Sequence, residues 1–151
     1  MGHTWTLADI PLQAGKRILI TGANSGIGYH AAFTLARKGA HVILACRDRR
    51  RGEAALTRLA TEAPGTSTEL AILDLASFAS VREFASRQLD KPLHVLINNA
   101  GVMAPPKRQQ TADGFELQFG TNVLGHFALT GLLFPALQQA AAESSEPPRI
   151  V

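Results

Sequence analysis

The sequence predicts an α/β fold: a parallel sheet doubly wound by helices, cut off at the start of its fifth strand. Three observations predict it. Short β-branched apolar runs alternate with stretches whose apolar residues recur at helical spacing. Glycines and prolines mark the joins between them. The first apolar run passes straight into a glycine-rich turn and then a helical pattern, the order of a right-handed crossover unit.

Residues 1–15 carry Trp5, Pro11 and Gly15 with no steady period and read as an arm packed through a few apolar residues. The domain proper is expected over 16–151. Arg17–Thr21 reads as a parallel strand buried on both faces, so its apolar residues need not alternate. Ile27, Ala31, Ala32, Leu35 and Ala36 then mark the inner face of a helix. Arg37 and Lys38 suit its negative end, and Gly39 suits a left-handed cap. The cycle repeats with a strand at His41–Cys46, a helix over 52–62 built on Ala55, Leu56, Leu59 and Ala60, and a break at Pro64-Gly65. A third strand is expected at 69–73. Ser77 can cap a helix that buries Phe78, Val81, Phe84, Ala85 and Leu89 and ends at Asp90-Lys91-Pro92. A fourth strand at 93–97, a loop over 101–112, a long helical region from about 114 to 142 and a break at 144–148 follow. Residues 149–151 open a fifth strand. A cut inside a strand is no natural boundary, so the parent polypeptide is expected to continue.

The 151 residues are 46% hydrophobic and 18% charged, an ordinary composition for one buried core. The net charge of +3 draws on a local cluster, Arg47, Arg49, Arg50 and Arg51. A compact cluster favours a small anion over a nucleic acid, which needs many phosphate contacts. The lone Cys46 forms no internal disulfide, and residues 1–15 lack the apolar run of a signal peptide, so a cytoplasmic setting is expected. The apolar stretch 123–142 is interrupted by Gly125, His126, Gly131, Pro135, Gln138 and Gln139 and reads as a buried helix with no membrane span. The five histidines and the cysteine lack zinc-like spacing, so no metal is expected.

The segment Thr21, Gly22, Ala23, Asn24, Ser25, Gly26, Ile27, Gly28 lies where a strand becomes a helix, where free amides and the positive helix end meet an anion. Gly22 permits a tight turn, Gly26 lets the backbone approach a pyrophosphate, and Gly28 lets the helix pack closely on the sheet. Glycines alone also suit a plain turn, but the flanking strand and helix supply the context a dinucleotide site requires. A P-loop is excluded, because no Gly-Lys-Ser/Thr closes the segment. At the end of the second strand, where NAD-preferring folds offer a carboxylate to the ribose, this chain has Cys46 and then Arg47. A guanidinium there can pair with a 2′-phosphate, so NADP is the expected cofactor. The plainer alternative makes Arg47 to Arg51 a solvated helix start, with Arg49, Arg50 and Arg51 contributing mostly field.

With Thr21 to Gly28, Asp74-Leu75, Asn98-Asn-Ala-Gly101 and Asn122 in order over 16–151, the chain resembles the short-chain dehydrogenase/reductase family. Ala45-Cys46-Arg47-Asp48 and Asn122-Val-Leu-Gly-His126 most resemble its retinol-dehydrogenase-like branch and related bacterial oxidoreductases. The resemblance implies a Rossmann-type sheet and hydride transfer between NADP and a small-molecule carbonyl or alcohol, lipophilic if the branch holds. It implies that Asp74 accepts from the adenine amino group beside the Leu75 backbone, and that Asn99, Ala100 and Gly101 line the ribose next to the nicotinamide. It makes Asn122 the candidate catalytic residue, bending its helix through a water in a proton relay. Each has a plainer alternative: helix entry for Asp74, a simple turn for Asn98 to Gly101, and an amide satisfied by a nearby carbonyl for Asn122. His126 reads as a packing or hydrogen-bonding residue. A homodimer through the helical region 114–142 is a further expectation, and a non-catalytic NADP-binding or regulatory module is the alternative function.

The resemblance also implies a tyrosine with a lysine four residues on, and a serine on the fifth strand. None is present: the only tyrosine is Tyr29, Phe33 stands four residues after it, and Ser144 and Ser145 precede the strand. The chain alone is therefore expected to show no dehydrogenase turnover, since positioned acid/base groups contribute on the order of 10²- to 10⁴-fold.

Overall fold

A computed structural model describes residues 4–144 and 146–151, so residues 1–3 of the arm and Ser145 lie outside the described residues. The elements run β1 (Arg17–Thr21), α1 (Gly26–Arg37), β2 (His41–Cys46), α2 (Arg49–Glu62), β3 (Ser67–Ile72), α3 (Phe78–Ser86) and β4 (Val95–Ile97). A one-turn α4 (Leu117–Phe119), a π-helical segment (Gly120–Gly125), α5 (His126–Glu143) and β5 (Arg149–Ile150) complete the chain. The strands form one parallel sheet in the order β3-β2-β1-β4-β5.

Strand periodicity divides the core between the two faces of the sheet. Leu19, Ile43 and Leu96 point to the face covered by α3 and α5, where they meet Val81, Phe84, Leu129 and Leu133. Ile18, Ile20, Val42 and Leu44 point to the other face, against Tyr29, Ala32, Ala55 and Leu59 from α1 and α2. Each fully buried aliphatic side chain contributes roughly 1.5–3 kcal/mol, and both faces of β1 and β2 collect it. That is why these strands read as unbroken apolar runs.

Several boundaries differ from the sequence expectation. β3 covers Ser67–Ile72 in place of 69–73, because Ser67 and Thr68 pair with His41 and Val42 through backbone groups that composition does not register. β4 begins at Val95: the Leu93 amide donates to Ala136 O of α5 (3.0 Å), so Leu93 plugs the core outside the ladder. α2 begins at Arg49 because Asp48 caps it, accepting from the Arg51 amide at 2.9 Å. Leu89 falls beyond the end of α3, yet still packs against the core. The region 114–142 resolves into α4, the π segment and α5. Only one face of α5 is buried, through Leu129, Leu133, Ala136, Leu137 and Ala140, while Phe127 and Phe134 are exposed.

The arm also corrects its expectation. Trp5, Leu7 and Leu12 are exposed, and the contacts are polar: Gln13 N–H to Lys38 O (2.8 Å) and Lys38 Nζ to Ala8 O (3.1 Å). Among the described residues no helix is long and apolar enough to cross a membrane.

Candidate cofactor-binding site

The carboxyl ends of β1, β2, β3 and β4 open on a cleft of about 590 Å³ at one edge of the sheet. With strand order 3-2-1-4, successive crossovers leave β1 in opposite directions, and the crevice forms where they part. Thr21, Gly22, Asn24, Ser25, Gly26, Ile27, Gly28, Arg47, Asp74, Leu75, Asn99, Ala100 and Gly101 all line it. The fold therefore gathers residues from four strand ends that lie far apart in sequence.

Two predicted residues stand elsewhere. Ala23 is fully buried beneath the glycine turn, packed with the core on the α1 side of the sheet. Asn122 sits behind the cleft wall, its side chain closing a two-bond ring with Val102: Val102 N–H donates to Oδ1 (2.9 Å) and Nδ2 donates to Val102 O (2.8 Å). Ile27 makes the opposite departure. Expected on the inner face of α1, it is 83% exposed, because the second residue of the helix projects off the sheet edge into the cleft mouth.

The glycine turn has the local chemistry of an anion cradle. Ser25 precedes α1 in extended conformation but makes no side-chain cap, so among the described residues no side-chain hydrogen bond covers the leading amides of the helix. Gly26 has φ +55° and open space where a Cβ would stand. A Cβ on Gly28 would lie 2.5 Å from both Asn99 Nδ2 and Gly22 O, so this glycine permits contact between the turn and the β4 end rather than with the sheet as a whole. Asn99 completes the join, its Nδ2 donating to Thr21 O at 2.9 Å. Thr21 Oγ1 accepts the Asn99 and Ala100 amides, both at 2.9 Å.

At the β2 end, the Cys46 thiol is raised by burial and by neighbouring Asp48, so it stays neutral. Arg47 is exposed on the rim and makes no hydrogen bond or ion pair among the described residues, whereas Asp48 beside it is committed to capping α2. The Arg51 amide and the nearby arginines hold the Asp48 carboxyl below its usual range. Arg51, expected from sequence to contribute mostly field, lines the cleft with Arg47; it stands in the first turn of α2, with its amide on the Asp48 cap that follows Arg47. Asp74 Oδ1 accepts the Ala76 amide at 3.0 Å and Ser77 caps α3, so Asp74 both borders the cleft and shapes the turn out of β3. Thr121, from the π segment, also lines the cleft and was not singled out from sequence.

His126 is buried at the start of α5, its pKa lowered by burial and partly restored by its bond to Asn122 O. Tyr29 is buried with its hydroxyl donating to Glu62 (3.0 Å), and burial raises its pKa. It faces α2, not the cleft. No group of three or more His, Cys, Asp or Glu among the described residues is placed to hold a metal ion.

Residues 16–145 match the family model described as short chain dehydrogenase. Retinol dehydrogenase 12 of Mus musculus is 48% identical over 152 residues, covering 99% of this chain and 45% of its own length. Among solved structures, an uncharacterised protein from Mycobacterium paratuberculosis superposes with TM-score 0.78 at 51% identity over 87% of this chain and 46% of its own. The NADP active-site complex of RhlG from Pseudomonas aeruginosa gives 0.74 at 32% identity over 91% and 52%. This chain thus spans about half the length of the relatives it matches. An amide cradle at the first crossover, the Asn99 bridge beneath it and a match over residues 16–145 identify the chain as a member of the short-chain dehydrogenase family, an oxidoreductase family.

Proposed function

We propose that the chain is the cofactor-binding part of an NADP-dependent oxidoreductase whose substrate is an alcohol, aldehyde or ketone, of lipophilic character. Arg47 carries the reading: an exposed guanidinium without a partner among the described residues stands on the rim of a cradle of open amides, after a strand that ends in Cys46 where a carboxylate would favour NAD. A small rigid fork of donors suits a ribose 2′-phosphate and gives nothing comparable to a ribose hydroxyl. The NADP complex of RhlG, at 32% identity, supports the same cofactor, and the retinol dehydrogenases among the relatives support the substrate class.

The residues present fit such a dinucleotide. The α1 amides and the Gly26 turn would hold the diphosphate, Arg47 and Arg51 the 2′-phosphate, Asp74 and Leu75 the adenine edge, and Asn99 to Gly101 the ribose near the nicotinamide. The nicotinamide, when bound, supplies or accepts the hydride. Asn122, anchored by Val102, would hold the start of a proton relay behind that ribose. Tyr29 is no substitute for a general acid, because its hydroxyl is committed to Glu62 and its pKa is raised. The chain by itself is accordingly proposed to bind NADPH without turning it over, a behaviour shared by a non-catalytic NADP-binding module.

Calorimetric titration tests this. NADPH binds more tightly than NADH, and Arg47→Ala removes about tenfold or more of that preference, the loss of one charge-assisted pair worth roughly 1.5–3 kcal/mol. Equal affinity for the two cofactors in the unmodified chain sinks the assignment.

A further inference from the structure

The Asn122 carbonyl is out of α-helical register. In a regular helix it would accept the His126 amide. Here that amide goes to Val123 O, and the carbonyl lies 3.0 Å from the His126 ring nitrogen Nδ1. A carbonyl can only accept, so Nδ1 carries a proton. The other ring nitrogen, Nε2, lies 2.9 Å from Thr21 Oγ1. That hydroxyl already accepts the Asn99 and Ala100 amides, which occupy both of its lone pairs. Its own proton has two acceptors in reach, Nε2 at 2.9 Å and, more weakly, Ile97 O at 3.4 Å. With either choice no lone pair is left to receive an Nε2–H, so Nε2 is bare and accepts from the hydroxyl over the shorter distance. Geometry alone leaves one state of the ring: neutral, with the proton on Nδ1. Burial to 7% exposure disfavours the imidazolium and acts the same way.

The consequence is one continuous line of hydrogen bonds. It runs from the Asn99 and Ala100 amides through the Thr21 hydroxyl and the His126 ring to the Asn122 carbonyl. It joins β1, the turn after β4 and the π segment, which touch the cleft from different sides. An imidazole that merely filled space would accept either tautomer, and an aliphatic residue would leave both Thr21 and Asn122 without this link.

We propose that His126, as the neutral Nδ1–H tautomer, is a positioning residue that locks the Asn99–Ala100 turn and the Asn122 carbonyl into one unit. Its effect on the cofactor rests on the NADP reading above; the tautomer and the link do not.

The two can be measured separately in the 151-residue chain. Ring nitrogen NMR of the ¹⁵N-histidine-labelled protein at pH 7 shows His126 with Nδ1 protonated and Nε2 bare; an Nε2–H ring, or one averaging between tautomers, overturns the proposal whatever the cofactor does. The side-chain amide of His126→Gln can reach the Nε2 position and accept from Thr21 but leaves the Asn122 carbonyl, whereas His126→Asn keeps only the Asn122 side; each breaks the link at one end and weakens NADPH affinity about fivefold, the loss of one ordinary buried hydrogen bond. Equal NADPH affinity in the unmodified chain and His126→Asn also overturns the proposal. A chain that binds no NADPH at all overturns the proposed function alone, and the tautomer then decides the link, as it does if either variant fails to fold.

Discussion

Single side chains carry unequal weight in this cleft, and the glycines show why. Gly28 has no positive φ, so its constraint is contact and not backbone strain: an added methyl group would meet the Asn99 amide and the Gly22 carbonyl together. Gly28→Ala is expected to destabilise the chain by about 1–3 kcal/mol, as overpacking does, with the loss read as a lower urea midpoint at unchanged slope. A midpoint within error of the unmodified chain contradicts the contact. At the same scale, the sequence motifs place Asn99, Asp74 and Arg47 where the cleft lies, while Ala23 is buried beneath the turn, Ile27 leaves the inner face expected for it and Arg51 joins Arg47 on the rim. The motif reports which residues are near the turn. Whether each points in, out or underneath depends on the crossing of α1 and α2 over the sheet, which no local pattern contains.

Among the elements, α2 and α5 make different demands on the chain. α2 starts on a run of arginines at the positive end of its dipole, an unfavourable placement that the Asp48 cap offsets. Asp48→Ala is therefore expected to lower the thermal midpoint, whereas Asp48→Asn or Asp48→Ser retains most of it. α5 is held by packing. Leu133 is fully buried beside Leu19, Ile43 and Leu96 on one core face, and Leu133→Ala is expected to cost about 2–5 kcal/mol in chemical denaturation. Helical spacing in the sequence located α1, α2, α3 and α5 but ran α4, the π segment and α5 together as one helix. Spacing does not show the break, because it needs distant partners: the Val102 backbone holds the Asn122 side chain, and Thr21 holds the ring that takes the Asn122 carbonyl. Only the family resemblance, through Asn122, points to a bend there.

Across the whole molecule, protonation equilibria separate into two pH windows. His126 is pushed down by burial, and His94 by burial and then by Lys16 and Arg17 against the opposing pull of Glu143. Both therefore bind protons more readily in the unfolded chain. Stability is full above the unfolded value of about 6.5 and falls as pH drops through it toward the lower folded values. Asp48, Glu62, Glu116 and Glu146 are lowered by hydrogen bonds and cations, so their contributions persist until far more acidic conditions. Urea midpoints are accordingly expected to fall between pH 7.5 and 5.5, and a His94→Gln, His126→Gln double variant to flatten that fall; an undiminished slope in the double variant contradicts the assignment. The sequence by itself determined the parallel sheet, the two-sided core and the glycine turn at the first crossover, because strand burial, helical period and glycine placement are all encoded within a few residues of each other. Only the tertiary structure decided the π segment, the state of the His126 ring and the company of Arg47 and Arg51 at the rim. Those depend on hydrogen bonds and close approaches between segments tens of residues apart, which exist only once the sheet has brought its strand ends together.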